Sequence, residues 1–201
     1  MRRGALYLFC ISLALSLSAL AQDSTPRFEI GLQGNGFFTR SSGDGDVQQT
    51  VSKNGGFLID ARYSLTRWLS ADVAYGRNRV TNRYSTAEFS TIQSTVHQVT
   101  GGFVFNVPLS GRITPYLLAE GGALEFNPTG SAGTSIAGAH RQSVGTFAYG
   151  GGIDYALFKW IGLRAEYRGL VYSSPDFDIR GINPNALTHT AEPSAGVVLR
   201  F

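Results

Sequence analysis

Arginines and carboxylates recur along this 201-residue chain at a spacing of two: Asp60 with Arg62, and Arg164 with Glu166 and Arg168. Asp72 and Asp154 lie in segments of the same alternating kind. In an extended strand that spacing places side chains on one face. Charges of both signs on a shared face can line a path for ions or protons, or pair with one another and fill the space between strands. The other chemistry-bearing residues are sparse. His97, His140 and His189 stand apart in sequence, without the spacing of a metal site, and no cofactor or metal is expected. Gly150-Gly151-Gly152 sits within an alternating segment with no helix after it, so it is not a phosphate cradle.

The elements that position these residues have a period of two throughout. The first runs over about 27–38, with Phe28, Ile30 and Leu32 opposite Glu29, Gly31 and Gln33. The second sets Phe57, Ile59, Ala61 and Tyr63 against Leu58, Asp60, Arg62 and Ser64. After a turn at Thr66-Arg67, the third sets Leu69, Ala71, Val73 and Tyr75 against Ser70, Asp72 and Ala74. The fourth opposes Val99, Phe103 and Phe105 to Gln98, Thr100 and Val104. The fifth, about 113–126, is apolar on both faces and its parity is open; the cost of a charge in lipid favours Glu120 inside. The sixth opposes Phe147, Tyr149, Ile153 and Tyr155 to Ala148, Gly150 and Asp154. The seventh opposes Ile161, Leu163, Ala165 and Tyr167 to Arg164, Glu166 and Arg168, and the eighth runs over Ala195–Phe201. Polar loops are expected at about 39–52, 78–93, 127–142 and 173–188, alternating with three short turns. Eight antiparallel strands with both termini at one rim require that pattern.

The amino terminus differs. Met1-Arg2-Arg3 precedes an apolar run over 4–20, and Ala19-Leu20-Ala21 offers the small-x-small pattern of a cleavable signal peptide. Residues 1–21 are therefore expected to be removed, leaving a single domain over 22–201 that starts at Gln22. Cys10 would leave with the signal and lacks a lipobox, so the mature chain has no thiol chemistry. Loss of Arg2 and Arg3 lowers the formal charge from +3 to +1, 15 basic against 14 acidic residues. Nothing in that balance points to nucleic acid.

A soluble eight-stranded cup would have an apolar interior. Here the polar parity carries mid-strand charges that are expensive in lipid, together with many glycines and alanines that suit a narrow lumen. The apolar parity is aromatic near its ends, and Trp68 and Trp160 stand beside the short turns, where an interfacial belt would lie. The fold expected is all-β: an eight-stranded antiparallel up-and-down transmembrane β-barrel.

Four stretches carry a resemblance: Tyr63-Ser64-Leu65-Thr66-Arg67-Trp68-Leu69, Pro115-Tyr116-Leu117 leading to Gly121-Gly122, Tyr149-Gly150-Gly151-Gly152, and the alternating end Ala195-Gly196-Val197-Val198-Leu199-Arg200-Phe201. On these the mature chain resembles the OmpA/OmpX-like eight-stranded outer-membrane β-barrel proteins of Gram-negative bacteria. The resemblance implies the outer membrane as location and Phe201 as the signal read by the assembly machinery. It also implies a monomer; the chain departs from full-length OmpA-type proteins in that no soluble peptidoglycan-binding domain is expected after Phe201. A lipid A deacylase of this kind needs a His-x-Ser pair. His97-Gln98-Val99, His140-Arg141-Gln142 and His189-Thr190-Ala191 do not supply one, so no enzyme is expected and the histidines are read as rim or loop residues facing water. The function expected is structural or surface-interacting in the cell envelope. A narrow porin-like channel for ions or small solutes comes second and a lipid A-modifying enzyme third. Asp60, Arg62, Asp72, Asp154, Arg164, Glu166 and Arg168 form the expected lumen network. Arg77, Arg79 and Arg83, in the second loop, are candidate contacts to lipopolysaccharide phosphates.

Overall fold

The computed structural model describes residues 27–40, 50–51, 54–83, 92–109, 111–129, 141–173 and 187–201. The expected signal segment 1–21, His140 and the acidic stretch 41–46 lie outside them. Among these described residues nine strands follow in order: β1 (Phe28–Arg40), β2 (Thr50–Val51), β3 (Asn54–Ser64), β4 (Leu69–Arg83), β5 (Ile92–Asn106), β6 (Ile113–Thr129), β7 (Gln142–Ala156), β8 (Ile161–Ser173) and β9 (Leu187–Arg200). The two residues of β2 pair only with the outer end of β4. The other eight form an antiparallel ring, each hydrogen-bonded to its chain neighbours, and β1–β9 completes the circle. Among the described residues no helix is long and apolar enough to cross a membrane, so any crossing is by strands.

Three short turns occupy one rim. In the first, Leu65 N–H and Thr66 N–H both donate to Leu69 O at 2.9 Å, and the Thr66 hydroxyl accepts the Leu69 N–H at 3.0 Å. Gly111, at φ 144°, takes in the second turn a backbone conformation that side chains with a Cβ rarely adopt. The third repeats the first, with Leu157 and Phe158 N–H donating to Ile161 O. At this rim Phe201 N–H donates to Phe28 O at 2.8 Å, and the two rings lie 6.3 Å apart.

The eight ring strands run from 11 residues in β3 to 17 in β6, and all but β3 continue past the roughly 9–11 residues that a tilted crossing needs. The stretch 78–93 is a loop only in part: β4 continues to Arg83, and its ladder with β5 persists to Asn82↔Ile92. β6 likewise reaches Thr129 and β9 starts at Leu187. Beyond the lipid both faces meet polar surroundings, so the apolar alternation fades while backbone pairing carries on.

The distribution of side chains is the reverse of a soluble domain's. The largest fully buried residues are Arg62, Arg164 and Arg168, whereas Leu117 is 64% exposed and Val73 59%. Parity agrees with the sequence pattern on every assigned strand. On β6, left open above, Tyr116, Leu118, Glu120, Leu124 and Phe126 point inward, and Leu117 and Glu125 outward.

Deleting Phe201 removes one rung of β1–β9 closure and an exposed aromatic side chain. Folded, heat-resistant barrel in cell membranes should fall several-fold, while refolding of the purified variant into detergent stays close to wild type. Equal loss in both settings would assign Phe201 to closure alone.

Candidate functional site: the barrel lumen

All seven charged residues picked out by spacing meet inside the barrel. Arg164 is the hub. Its Nε and Nη2 donate to the two carboxylate oxygens of Asp154 at 2.8 Å each, a bidentate fork. Nη1 reaches Asp60 at 2.5 Å, and Nη2 also reaches Glu29 at 2.9 Å. Arg62 donates through Nε to Asp72 at 3.1 Å and stands 3.8 Å from both Asp154 and Glu166. Arg168, one inward position above Glu166, bonds it at 2.5 Å, takes Glu120 at 2.9 Å, and lies 3.7 Å from Asp72. The charges therefore form one connected net.

Several members escape the spacing of two because they stand alone in their segments. Glu29 and Arg200 bond each other at 2.9 Å and extend the net to the short-turn rim. Tyr116 crosses the lumen, donates its hydroxyl to Glu166 at 2.6 Å, and carries the Arg62 guanidinium 4.5 Å above its ring. Room for that ring comes from Gly152, where a Cβ would lie 2.5 Å from the Tyr116 hydroxyl. Gln33 joins Asp60 at 2.9 Å and accepts from the Ser194 hydroxyl at 2.9 Å. Continuing the alternation backward from Ala195 would have brought in Ser194 and Glu192 as inward residues.

Above the charges lies an apolar layer. Phe37, Val96, Leu124, Phe126, Ala148, Leu170 and Tyr172 are buried against one another at the outer end of the lumen, with Val144 packed on them. On β8 the inward sequence Arg164, Glu166, Arg168, Leu170, Tyr172 shows the change from ionic filling to apolar roof within one strand.

The outer wall corrects two expectations. Arg77 and Arg79 belong to β4, not to a loop, and their exposed side chains follow Val73 and Tyr75 up the outward face. Arg83 enters only through its backbone pairing with Thr50. His97 and His189 are on strands, half-buried, rather than loose at the rim. His97 Nδ1 lies 2.8 Å from the Tyr75 hydroxyl and His189 Nε2 2.8 Å from that of Tyr149. Outward Tyr75 and Tyr149 reach the next polar residue up the wall, so each histidine has a partner other than water. Beside His97 on β6, outward Glu125 pairs with Arg141.

Removing Arg164 would leave Asp154, Asp60 and Glu29 without their common cation in a closed lumen. Arg164→Ala should lower unfolding stability by ~3–5 kcal/mol. Arg141→Ala, at a side chain 65% exposed, should cost less than about 1 kcal/mol. Urea unfolding of the two variants in the same lipid vesicles measures the difference.

Comparison with known proteins gives a consistent result. The family model for the outer membrane protein beta-barrel domain matches residues 7–201. Neisserial surface protein A is similar in structure at TM-score 0.60 and 18% identity, over 87% of this chain and 97% of that one. The attachment invasion locus protein Ail of Yersinia pestis, solved with the heparin analogue sucrose octasulfate, is similar at TM-score 0.56 and 16% identity, over 88% and 99%. No curated protein matches the chain in sequence. The alternating strands, the closed ring and the family match agree: the chain belongs to the outer membrane protein beta-barrel domain family and resides in the outer membrane.

Proposed function

We propose that this protein is a non-conducting barrel with a structural or surface-interaction role in the cell envelope, acting through its outer wall and loops. The observation that carries the reading is the filled lumen: a connected net of buried ion pairs, roofed by packed apolar side chains. A conduit for ions needs water along its length. Here the arginines that would line it are bound to carboxylates, and eight strands leave an interior that side chains can fill. The porin-like reading has the same charges to draw on, but Arg62, Arg164, Arg168 and Arg200 each hold a carboxylate oxygen at 2.8–3.1 Å.

Outside, the apolar band ends at Arg77 and Arg79 on β4, which suit the phosphates of lipopolysaccharide at the outer leaflet. Outward Leu117, Val73, Ile153 and Leu163 meet the acyl chains. This reading takes residues 22–201 as the mature domain after removal of 1–21, a monomer inserted by the assembly machinery through the strand ending at Phe201. It is not enzymatic, since no outward histidine is followed at two residues by a serine.

Purified protein in planar bilayers should give no conductance steps, and Arg164→Ala should not create a cation-selective one of defined size. Discrete wild-type steps that vanish in Arg164→Ala would transfer the function to the channel. Arg77→Ala and Arg79→Ala should each weaken binding to lipopolysaccharide micelles about two- to fivefold, as for exposed charge pairs of roughly 0.5–1 kcal/mol. Binding to lipid vesicles lacking lipopolysaccharide should not change.

A further inference from the structure

The short-turn rim carries one cation at each quarter of the ring. Arg27 precedes β1, Arg67 lies in the turn between β3 and β4, Arg112 in that between β5 and β6, and Lys159 in that between β7 and β8. All four are exposed, and among the described residues no ion pair takes up any of them. The acidic side chains closest to this rim along the strands are Glu29, Asp72 and Asp154. They point into the lumen, where Arg200, Arg62 and Arg164 hold them. Against the four cations stands at most the carboxylate of Phe201, so this rim is net positive among the described residues.

Backbone hydrogen bonds fix the height of these residues. Arg27 O accepts from Ser64 N–H and Arg112 O from Ala156 N–H, both at 2.8 Å. Next to the other two cations, Trp68 O accepts from Asn106 N–H and Trp160 O from Arg200 N–H, at 2.9 Å each. The four side chains therefore start at the last rungs of the ladders, not on projecting loops.

An aromatic belt shares that level. Trp68 and Trp160 are exposed, Phe158 stacks on Trp160 with ring centroids 6.2 Å apart, and exposed Tyr63 and Tyr155 stand at the adjoining strand ends. Such rings settle among lipid headgroups. Arginine and lysine stems beginning at the same height reach the phosphates of those headgroups and little beyond them.

We propose that Arg27, Arg67, Arg112 and Lys159 form a docking ring for anionic phospholipids of the leaflet that the short turns face, the periplasmic one. A zwitterionic headgroup brings its own cation to its phosphate, whereas a phosphatidylglycerol headgroup leaves one negative charge for the protein. A basic side chain near such a surface gains on the order of fivefold in association. Short turns at the ladder ends offer a soluble acidic partner little to grip. The ring goes beyond the envelope role proposed above, because it belongs to the rim opposite Arg77 and Arg79.

The chain's two tryptophans, Trp68 and Trp160, both lie at this rim, so their fluorescence reads the lipid beside the ring. The test refolds the full barrel into phosphatidylcholine vesicles containing a fixed fraction of dibrominated lipid, which quenches tryptophan on contact. Brominated phosphatidylglycerol should quench more than brominated phosphatidylcholine, with an association about two- to fivefold stronger. High salt should erase most of that preference, since exposed charges are screened. Replacing the four together, Arg27→Gln, Arg67→Gln, Arg112→Gln and Lys159→Gln, should make the two lipids quench equally. A wild type quenched equally by both overturns the proposal and leaves the cations to an acidic soluble partner. A preference that survives the four replacements overturns it as well. Should the combined variant fail to insert, the salt series on the wild type decides: a preference that fades supports the ring, and one that persists refutes it.

Discussion

Inside hydrocarbon a backbone N–H or C=O has no water to bond, so a sheet can cross only if it has no edge. Closure of β1 on β9 meets that demand, and the rest of the molecule follows from it. Eight strands make a ring whose interior is about as wide as the side chains that fill it. Alternation then sends every second residue into that interior. The lumen must be packed by the same residues that build the wall, and lipid claims the apolar half of them.

Filling the interior with charge is not the most stabilising choice in isolation, because desolvation offsets much of the attraction between buried ions. What the ion pairs add here is register. Arg62 and Asp72 are direct cross-strand partners in β3–β4, as are Asp154 and Arg164 in β7–β8 and Glu29 and Arg200 in β1–β9. A slip of one residue along any of these ladders would turn a charge from the lumen to the lipid. Two of these pairs flank a short turn and the third flanks the closure. They act where pairing starts and where the ring must meet itself.

The parity of seven strands and the membership of the central net were legible because polar and apolar faces contrast sharply between rims. β6 was not, since its lumen face is largely apolar: Tyr116 and Leu118 pack with Val104, and Leu124 and Phe126 belong to the roof. Only Glu120 marked its inward side. The outer ends of strands were hidden for the opposite reason. At Arg77, Asn78 and Arg79 both faces are polar, and a ladder continuing into water looks like a loop. Tyr116 was invisible as a site member because its partner Glu166 comes from another strand, at a separation that no local spacing encodes, whereas Glu192 needed only the alternation of the last strand carried further back.

The residues that first suggested chemistry are thus the least available for it. Arg62, Arg164 and Arg168 are fully buried and engaged by carboxylates, sealed by Phe37 and Leu124 from the side where the long loops emerge. Residues with access to lipid or solvent, such as Arg77, Arg79, Glu125 and Arg141, share no contact with that net and lie on the opposite parity. A barrel so divided can change its outer surface without disturbing its interior. Selection on recognition would act on the outward rim and loops, while the lumen answers to folding. The charge pattern therefore identifies the architecture closely, and the proposed surface role would fall to a different set of residues.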